Sequence, residues 1–459
     1  MTGRDVADDG RMGRTRREVL AATGAAGLVG LAGCSGDGDG PSGATPTTTP
    51  QSEYANMPVS GDTITVGVSV PETGVYSGEG GQLRVGYELA AKNINEDRGL
   101  VNAEDFSVLQ GSGGVRGKTI EIVTDDTGSS ADQAADSARN LIDNQGAQML
   151  AGGASSDEAI AHQRVAKNRG VIHMIGFAPG TSIGGSNCAN TGFQEMFNAQ
   201  MAASALRQAL VDRHGYETSF AQVRPESDVG ESFATSIEEA MTGEDWEHLT
   251  TQTTRVGTQD YRSQIRSARD QDPDVLVLNY YGLDGAHALR QADEIVGGDV
   301  AIVVPLYNRP MARNAGGAME DVLGTIHWES AVLKRNSRRF TQAWKSAFST
   351  NDRRATEPSG LAHLAYMQLF QWAAAVERAG SFRPPDVAAA LEDYSYDIGL
   401  GQETMRACDH QAQRPIPIVT GLAADDQYWG RYYEFQEILT GHGYSCEEAP
   451  AADCSMDGF

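Results

Sequence analysis

One pattern, a β-branched strand followed by a loop and an amphipathic helix, recurs along the chain in two successive series, and it constrains the fold more than any other feature. Residues 63–70 alternate and are β-branched, and residues 83–94 bring Tyr87, Ala90, Ala91 and Ile94 onto one helical face. Residues 119–123 read as the next strand, and 132–144 carry Ala134, Ala138, Leu141 and Ile142 at helical spacing. Residues 149–151 and 171–175 are strands flanking a helix over about 157–167. A second series starts after Phe197, with strands at 220–223, 249–253, 275–278 and 301–304 and helices at 231–241, 261–269 and 285–295. Further helices are expected at 337–348 and 361–378. The unbroken apolar run Val275, Leu276, Val277, Leu278 is what a strand buried on both faces requires. Such alternation builds an α/β fold with parallel sheets covered by helices, and its repetition gives two similar doubly wound lobes. Ligands of such sheets bind beyond the carboxyl ends of the strands, so facing lobes would line one cleft.

Composition narrows the function. The chain has 459 residues with 36 basic and 62 acidic side chains, a net charge of −26, which excludes nucleic-acid binding by a basic surface. Its length suits two or three domains, and 40% hydrophobic content supplies each with a core. Lysine occurs only at positions 92, 118, 167, 334 and 345. Acid excess with scarce lysine suits a halophilic protein, whose hydrated carboxylates keep it soluble where repulsion is screened within about 3 Å at molar salt.

The N-terminus reads as an address. Arg16 and Arg17 precede an apolar stretch, residues 21–32, that is too short to span a membrane but fits a signal h-region. The twin arginine points to the Tat route, and Leu31-Ala32-Gly33-Cys34 resembles a lipobox that would leave Cys34 as a lipid-modified terminus. Residues 1–34 are thus assigned to a signal peptide and 35–58, rich in Gly, Asp, Ser, Thr and Pro, to a linker. Four cysteines remain for an oxidising exterior. Cys446 and Cys454 enclose a short polar loop and are the expected disulfide, with Cys188 and Cys408 available for a second, although spacing does not fix the pairing.

Most catalytic motifs fail on context. Gly180-Thr-Ser-Ile-Gly184 matches the esterase nucleophile elbow around Ser182, but no strand leads directly into it and no helix follows. Residues 111–119 miss the spacing of a phosphate loop and lead into a strand instead of a helix. The glycine run at 78–81 has Leu83 where a dinucleotide fingerprint needs glycine. Asp409 and His410 beside Cys408 are read as a surface turn, not as metal ligands. No metal or cofactor is expected, and the chain is read as non-enzymatic. The element that stands out follows the strand at 149–151, where Gly152-Gly153-Ala154 leads to Ser155 and Glu158 in capping-box spacing. Free N–H groups and the positive end of the helix dipole make that start a seat for a carboxylate or carbonyl oxygen.

Taken together, Thr63-Ile-Thr-Val-Gly-Val68 with Thr73-Gly74, Gly86-Tyr-Glu-Leu-Ala-Ala91, Gly117-Lys-Thr-Ile-Glu-Ile-Val123 with Asp125-Asp126, and Gly152 to Ser156 resemble the opening of branched-chain amino-acid type solute-binding proteins. The similarity continues through Gln259-Asp-Tyr261, residues 273–277, residues 288–291 and Cys408-Asp-His-Gln411, so it covers about 63–420. These proteins serve ABC importers and have the type I periplasmic-binding-protein fold. The resemblance implies two lobes joined by three crossovers, near 193–198, 327–331 and 400–405. Lobe 1 is then 59–195 plus 331–399, lobe 2 is 196–330 plus 400–440, and 441–459 is a C-terminal extension. It also implies ligand contacts at Ser155, Ser156, Ala178, Thr181 and Tyr281, with Tyr76 and Tyr307 nearby. Where amino-acid binders place a glutamate to pair the ligand ammonium this chain has Leu306 beside Tyr307, and where the first lobe often supplies a tyrosine it has Glu79. An amide, a urea-like compound or another organic acid becomes a candidate solute, or else Glu79 or Asp284 takes over the cation.

The resulting expectation is a lipid-anchored, monomeric receptor on the outer face of the cytoplasmic membrane that hands a small polar solute to ABC permease subunits. A secreted esterase using Ser182, and a sensing module of the same shape that serves no transporter, are the alternatives.

Overall fold

The strand and helix series fold as two sheets that share one strand order. The computed structural model describes residues 53–215, 218–348, 358–427, 431–456 and 458–459. The twin arginine, the apolar stretch, Cys34 and most of the linker lie outside the described residues. The first series comprises β1 (Thr63–Val70), α1 (Ser77–Asn95), β2 (Thr119–Asp126), α2 (Ala131–Arg139), β3 (Met149–Gly152), α3 (Ser156–Arg169), β4 (Ile172–Ile175) and β5 (Gly192–Phe193). The second comprises α4 (Ala199–His214), β6 (Ser219–Pro225), α5 (Asp228–Thr242), β7 (Glu247–Thr254), α6 (Arg262–Arg269), β8 (Val275–Leu278), α7 (Gly282–Val296), β9 (Ala301–Tyr307), α8 (Arg309–Ala315) and β10 (Leu323–Ile326). The rest comprises α9 (Arg335–Ala347), α10 (Gly360–Ala379), α11 (Pro384–Leu391), β11 (Ser395–Asp397), β12 (Gln402–Met405), β13 (Ala412–Gln413), β14 (Ile416–Gly421) and β15 (Tyr433–Leu439).

The first sheet runs β2-β1-β3-β4-β5 and is wholly parallel. The second runs β7-β6-β8-β9-β10 in the equivalent parallel order and adds β14 and β15 antiparallel at its edge. This is the two-lobed α/β architecture expected from the alternation. In the second sheet Val275 and Val277 belong to the buried apolar cluster that includes Phe233 and Ile237, and Leu276 and Leu278 to a separate one that includes Ile265 and Leu289. Burial on both faces is what makes β8 apolar at every position.

Helix α1 starts at Ser77, six residues ahead of the periodic stretch that marks it in the sequence. Its glycines conceal that start: a Cβ at Gly80 would lie 1.9 Å from the Pro71 carbonyl oxygen, so only glycine lets this turn rest on the loop after β1.

The chain leaves the first sheet after β5 and enters the second lobe at α4, returns between β10 and α9, and reaches β14 through a small sheet of β11, β12 and β13. One buried cluster ties these passages together. Arg414 Nη1 lies 3.4 Å from Glu195 Oε1, 3.5 Å from Glu403 Oε2 and 3.0 Å from His327 Nδ1, and Nη2 donates to the His327 carbonyl at 3.2 Å. Glu195, Glu403 and Arg414 side chains are wholly buried. Burial raises both carboxyl pKa values, that of Glu403 to about 7, against the pull of the guanidinium.

The disulfides differ from the expected pairing. Cys188 bonds Cys454 with Cα atoms 5.5 Å apart, and Cys408 bonds Cys446 at 6.1 Å. After β15 the chain turns back toward the passages between lobes, where Tyr444 Oη accepts from Asn198 Nδ2 at 2.7 Å and donates to Asp409 at 3.2 Å. That docking sets Cys446 against Cys408, and a short 3-10 turn, Ala451–Asp453, delivers Cys454 to the loop that carries Cys188. The residues between Cys446 and Cys454 therefore form a strap and not a closed loop.

Asp409 and His410 are correspondingly no surface turn. Both are buried; Asp409 Oδ1 accepts from Arg406 Nε at 3.0 Å, and the His410 ring stacks on Phe193 with centroids 4.0 Å apart.

Candidate functional site

In both lobes the third strand of the series feeds a helix start at the point where strand order reverses, between β1 and β3 and between β6 and β8. Ser155 caps α3 and Tyr281 occupies the cap position of α7. The two starts meet across the cleft. Tyr281 Oη donates to the Ala154 carbonyl at 2.9 Å, its ring stacks on Tyr76 with centroids 5.4 Å apart, and Phe177 meets it edge-on at 5.4 Å. Tyr281 thereby closes one lobe onto the other, and all three rings are buried.

The Ser155 hydroxyl serves the cap itself. It accepts from the Glu158 amide at 3.3 Å and donates to Glu158 Oε2 at 2.9 Å, while that oxygen also receives the Ala154 amide at 3.1 Å. The Glu158 carboxylate further accepts from Thr127. This is the capping box read from the sequence, and the N–H groups of Ser156 and Asp157 have no acceptor within the helix. Ser156 Oγ accepts from the Gly180 amide at 3.0 Å, fixing the loop after β4. The Thr181 amide donates at 3.1 Å to Ser232 Oγ on α5, a further contact between lobes. The Ala178 carbonyl accepts from Gln194 Nε2 at 2.7 Å inside lobe 1.

Ser155, Ser156, Thr181, Tyr76 and Tyr281 thus converge on one inter-lobe region, with Ala178 buried beneath it. Tyr307 meets this region only at its edge, lining a small cavity with Phe177 and Asn308. Side chains alternate along β9, so Leu306 and Tyr307 face opposite sides of the sheet; the Tyr307 hydroxyl donates to the Val322 carbonyl at 3.3 Å within lobe 2. Ser182 sits in a 3-10 turn, not at a strand-to-helix elbow, and donates to Asp228 Oδ1 at 2.6 Å, with no imidazole among its described partners.

Two acidic groups left open by the sequence are resolved differently. Asp284 Oδ2 accepts from the Gly257 amide at 2.7 Å and so holds a loop of its own lobe. Glu79, in the first turn of α1, is fully buried against lobe 2. Its Oε1 accepts from Asn308 Nδ2 at 2.9 Å, and Oε2 has no hydrogen-bond partner. Gly282 permits this approach: it has φ +63, and a Cβ there would fall 2.6 Å from Glu79 Oε1. Burial pushes the Glu79 pKa up to about 7, with nearby Asp284 and Glu158 adding to the rise and the Asn308 bond opposing it.

Sequence reasoning missed Phe177, Asn308, Asp157 and Asp228. Asn308 carried a usable signal, since asparagine two residues before Pro310 at a strand end is a helix cap; its Oδ1 accepts from the Met311 amide at 2.9 Å, which leaves Nδ2 for Glu79. Asp157 and Asp228 stand at the first turns of α3 and α5, and burial raises the pKa of both. Phe177 had no local signature.

The family model of the periplasmic binding protein matches residues 63–426, and the chain belongs to that family. It is 22% identical over 355 residues, 76% of its own length and 87% of the relative's, to the leucine-, isoleucine-, valine-, threonine- and alanine-binding protein of Pseudomonas aeruginosa. An amino acid ABC transporter substrate-binding protein from Pseudomonas fluorescens has a similar fold, with a TM-score of 0.74 at 18% identity, covering 86% of this chain and 100% of that one. A solute binding protein of an ABC transporter from Rhodopseudomonas palustris, solved in complex with 3,4-dihydroxybenzoic acid, gives 0.70 at 17% identity over 83% of this chain and 98% of that one.

Proposed function

We propose that this chain is an extracellular solute-binding lipoprotein that captures a small polar solute, an amino acid, amide or related organic acid, and delivers it to an ABC importer. The observation that carries the reading is the contact between lobes at equivalent helix starts, where Tyr281 of one lobe reaches the Ala154 carbonyl of the other. A solute seated there touches both lobes and links their closure to its own binding. Ser155, Ser156, Ala178, Thr181, Tyr76 and Tyr281 frame the seat, with Tyr307 behind it in lobe 2. Solute-binding proteins of similar fold have been described with amino acids and with an aromatic acid, so the fold leaves the solute open. The twin arginine and Cys34 support Tat export and lipid anchoring at the outer face of the cytoplasmic membrane, and permease subunits are the partner. Lobe boundaries at 195/196, 330/331 and 399/400 go with this reading.

The test is a melting-temperature screen of the full chain in molar salt against amino acids, amides and organic acids. A true solute at a hundred times its Kd stabilises by about 2.7 kcal/mol. Absence of a shift with every member of all three classes counts against the proposal.

A further inference from the structure

We propose that Glu79 selects the solute by charge, its free carboxylate oxygen receiving a cationic nitrogen of the guest, and that solutes lacking such a nitrogen are rejected. This rests on the solute-binding reading and names the chemical class of the guest. Three observations carry it. Glu79 is fully buried, so its unpartnered Oε2 lacks the water that would otherwise solvate it. The carboxylate is built into the junction of the lobes: lobe 1 supplies it on α1, and lobe 2 supplies the Asn308 amide at 2.9 Å and the side-chain-free Gly282 that makes room for it. Glu158 and Asp284 are the charged groups nearest to it, and among the described residues no arginine or lysine forms a salt bridge to any of these three acids. An anionic guest would add repulsion and a neutral donor would pair the oxygen without offsetting its buried charge, whereas an ammonium or amidinium does both. In a zwitterion the carboxylate would fall to the α3 amides of Ser156 and Asp157, opposite in sign to the need at Glu79.

The groups facing Glu79 are Tyr76 beside it, Asn308 from α8, Tyr281 and Asp284 from the start of α7, and Glu158 from α3; none carries a positive charge. A carboxyl that titrates near 7 must ionise to hold a cation. Binding below that pH therefore releases a proton, and affinity is level above pH about 7 and falls by up to about tenfold per unit below it.

The experiment uses the full chain and paired probes: each of the common amino acids against its 2-hydroxy-acid analogue, in which hydroxyl replaces ammonium. At least one amino acid is expected to bind where its hydroxy acid does not, and Glu79→Gln is expected to weaken that amino acid roughly thirtyfold or more. Calorimetry of the unmodified chain at pH 6.5, in two buffers of different ionisation enthalpy, should count a released proton; this readout stands even where the variant misfolds. Equal binding of both members of each pair, undiminished affinity in Glu79→Gln, or no proton release overturns the Glu79 assignment and leaves the solute-binding reading intact. If no amino acid, amide or organic acid binds the unmodified chain, both are overturned.

Discussion

The two disulfides should differ in what they contribute, and the structure fixes the order. Cys188–Cys454 closes 266 residues and Cys408–Cys446 closes 38. Loop-closure entropy gives roughly 5.6 and 3.9 kcal/mol for these lengths, upper values for a chain-entropy model, so the difference of about 1.7 kcal/mol is the firmer quantity. The smaller ring lies inside the larger one and shortens it when both are formed, but the dependence is logarithmic and lowers the difference by only about 0.1 kcal/mol. The assay is urea unfolding without reductant, followed by tryptophan fluorescence, of Cys188→Ala with Cys454→Ala against Cys408→Ala with Cys446→Ala. The first pair should be the less stable by about 1.7 kcal/mol. A bond joining Cys446 to Cys454 would close so small a loop that its removal should cost only about 2.5 kcal/mol. Equal or reversed stabilities, or a peptide map linking Cys446 to Cys454, refutes the strap.

Three further outcomes follow from buried groups. Arg414→Met leaves Glu195 and Glu403 buried without their cation and should cost about 3–5 kcal/mol in urea unfolding, with the loss growing above pH 7 as Glu403 is forced to ionise. Glu79 has a folded pKa above its unfolded value, so the folded state holds the extra proton and stability from this group is lost as pH rises from about 4.5 through about 7. Glu79→Gln should therefore gain on the parent chain by about 2.5 kcal/mol between pH 5 and pH 8; a pH-independent difference in melting temperature contradicts the shift. Ser155→Ala removes both capping bonds and should lower stability by about 1 kcal/mol, with solute affinity falling by about 1–3 kcal/mol; unchanged affinity would make the serine purely a cap.

Local periodicity made the layers legible. Strand β8 is apolar at each position and α10 shows its helical register, so most strands and helices could be placed within a few residues, whereas β5, α4, α8 and β10 were not read from the sequence. The contact between the two helix starts was legible for the same reason, since Ser155 with Glu158 is a local capping signal and Tyr281 follows a readable strand. What stayed hidden depends on residues far apart in the chain. Glu195, His327, Glu403 and Arg414 have no shared spacing, and only the folded passages between lobes bring them within hydrogen-bond reach. Cysteine pairing depends likewise on where Tyr444 docks. At Tyr307 the difficulty is one of parity: adjacent strand residues face opposite sides, and nothing near Leu306 and Tyr307 marks which side looks into the cleft. Asp409 and His410 look like turn residues until the strap and the ring of Phe193 bury them.

Small-angle X-ray scattering of the full chain, with and without whichever solute raises its melting temperature, tests the central claim most directly. Two lobes that shut on a shared guest predict a smaller radius of gyration when the solute is saturating. An identical scattering profile under both conditions, with the solute demonstrably bound, would contradict closure around a guest.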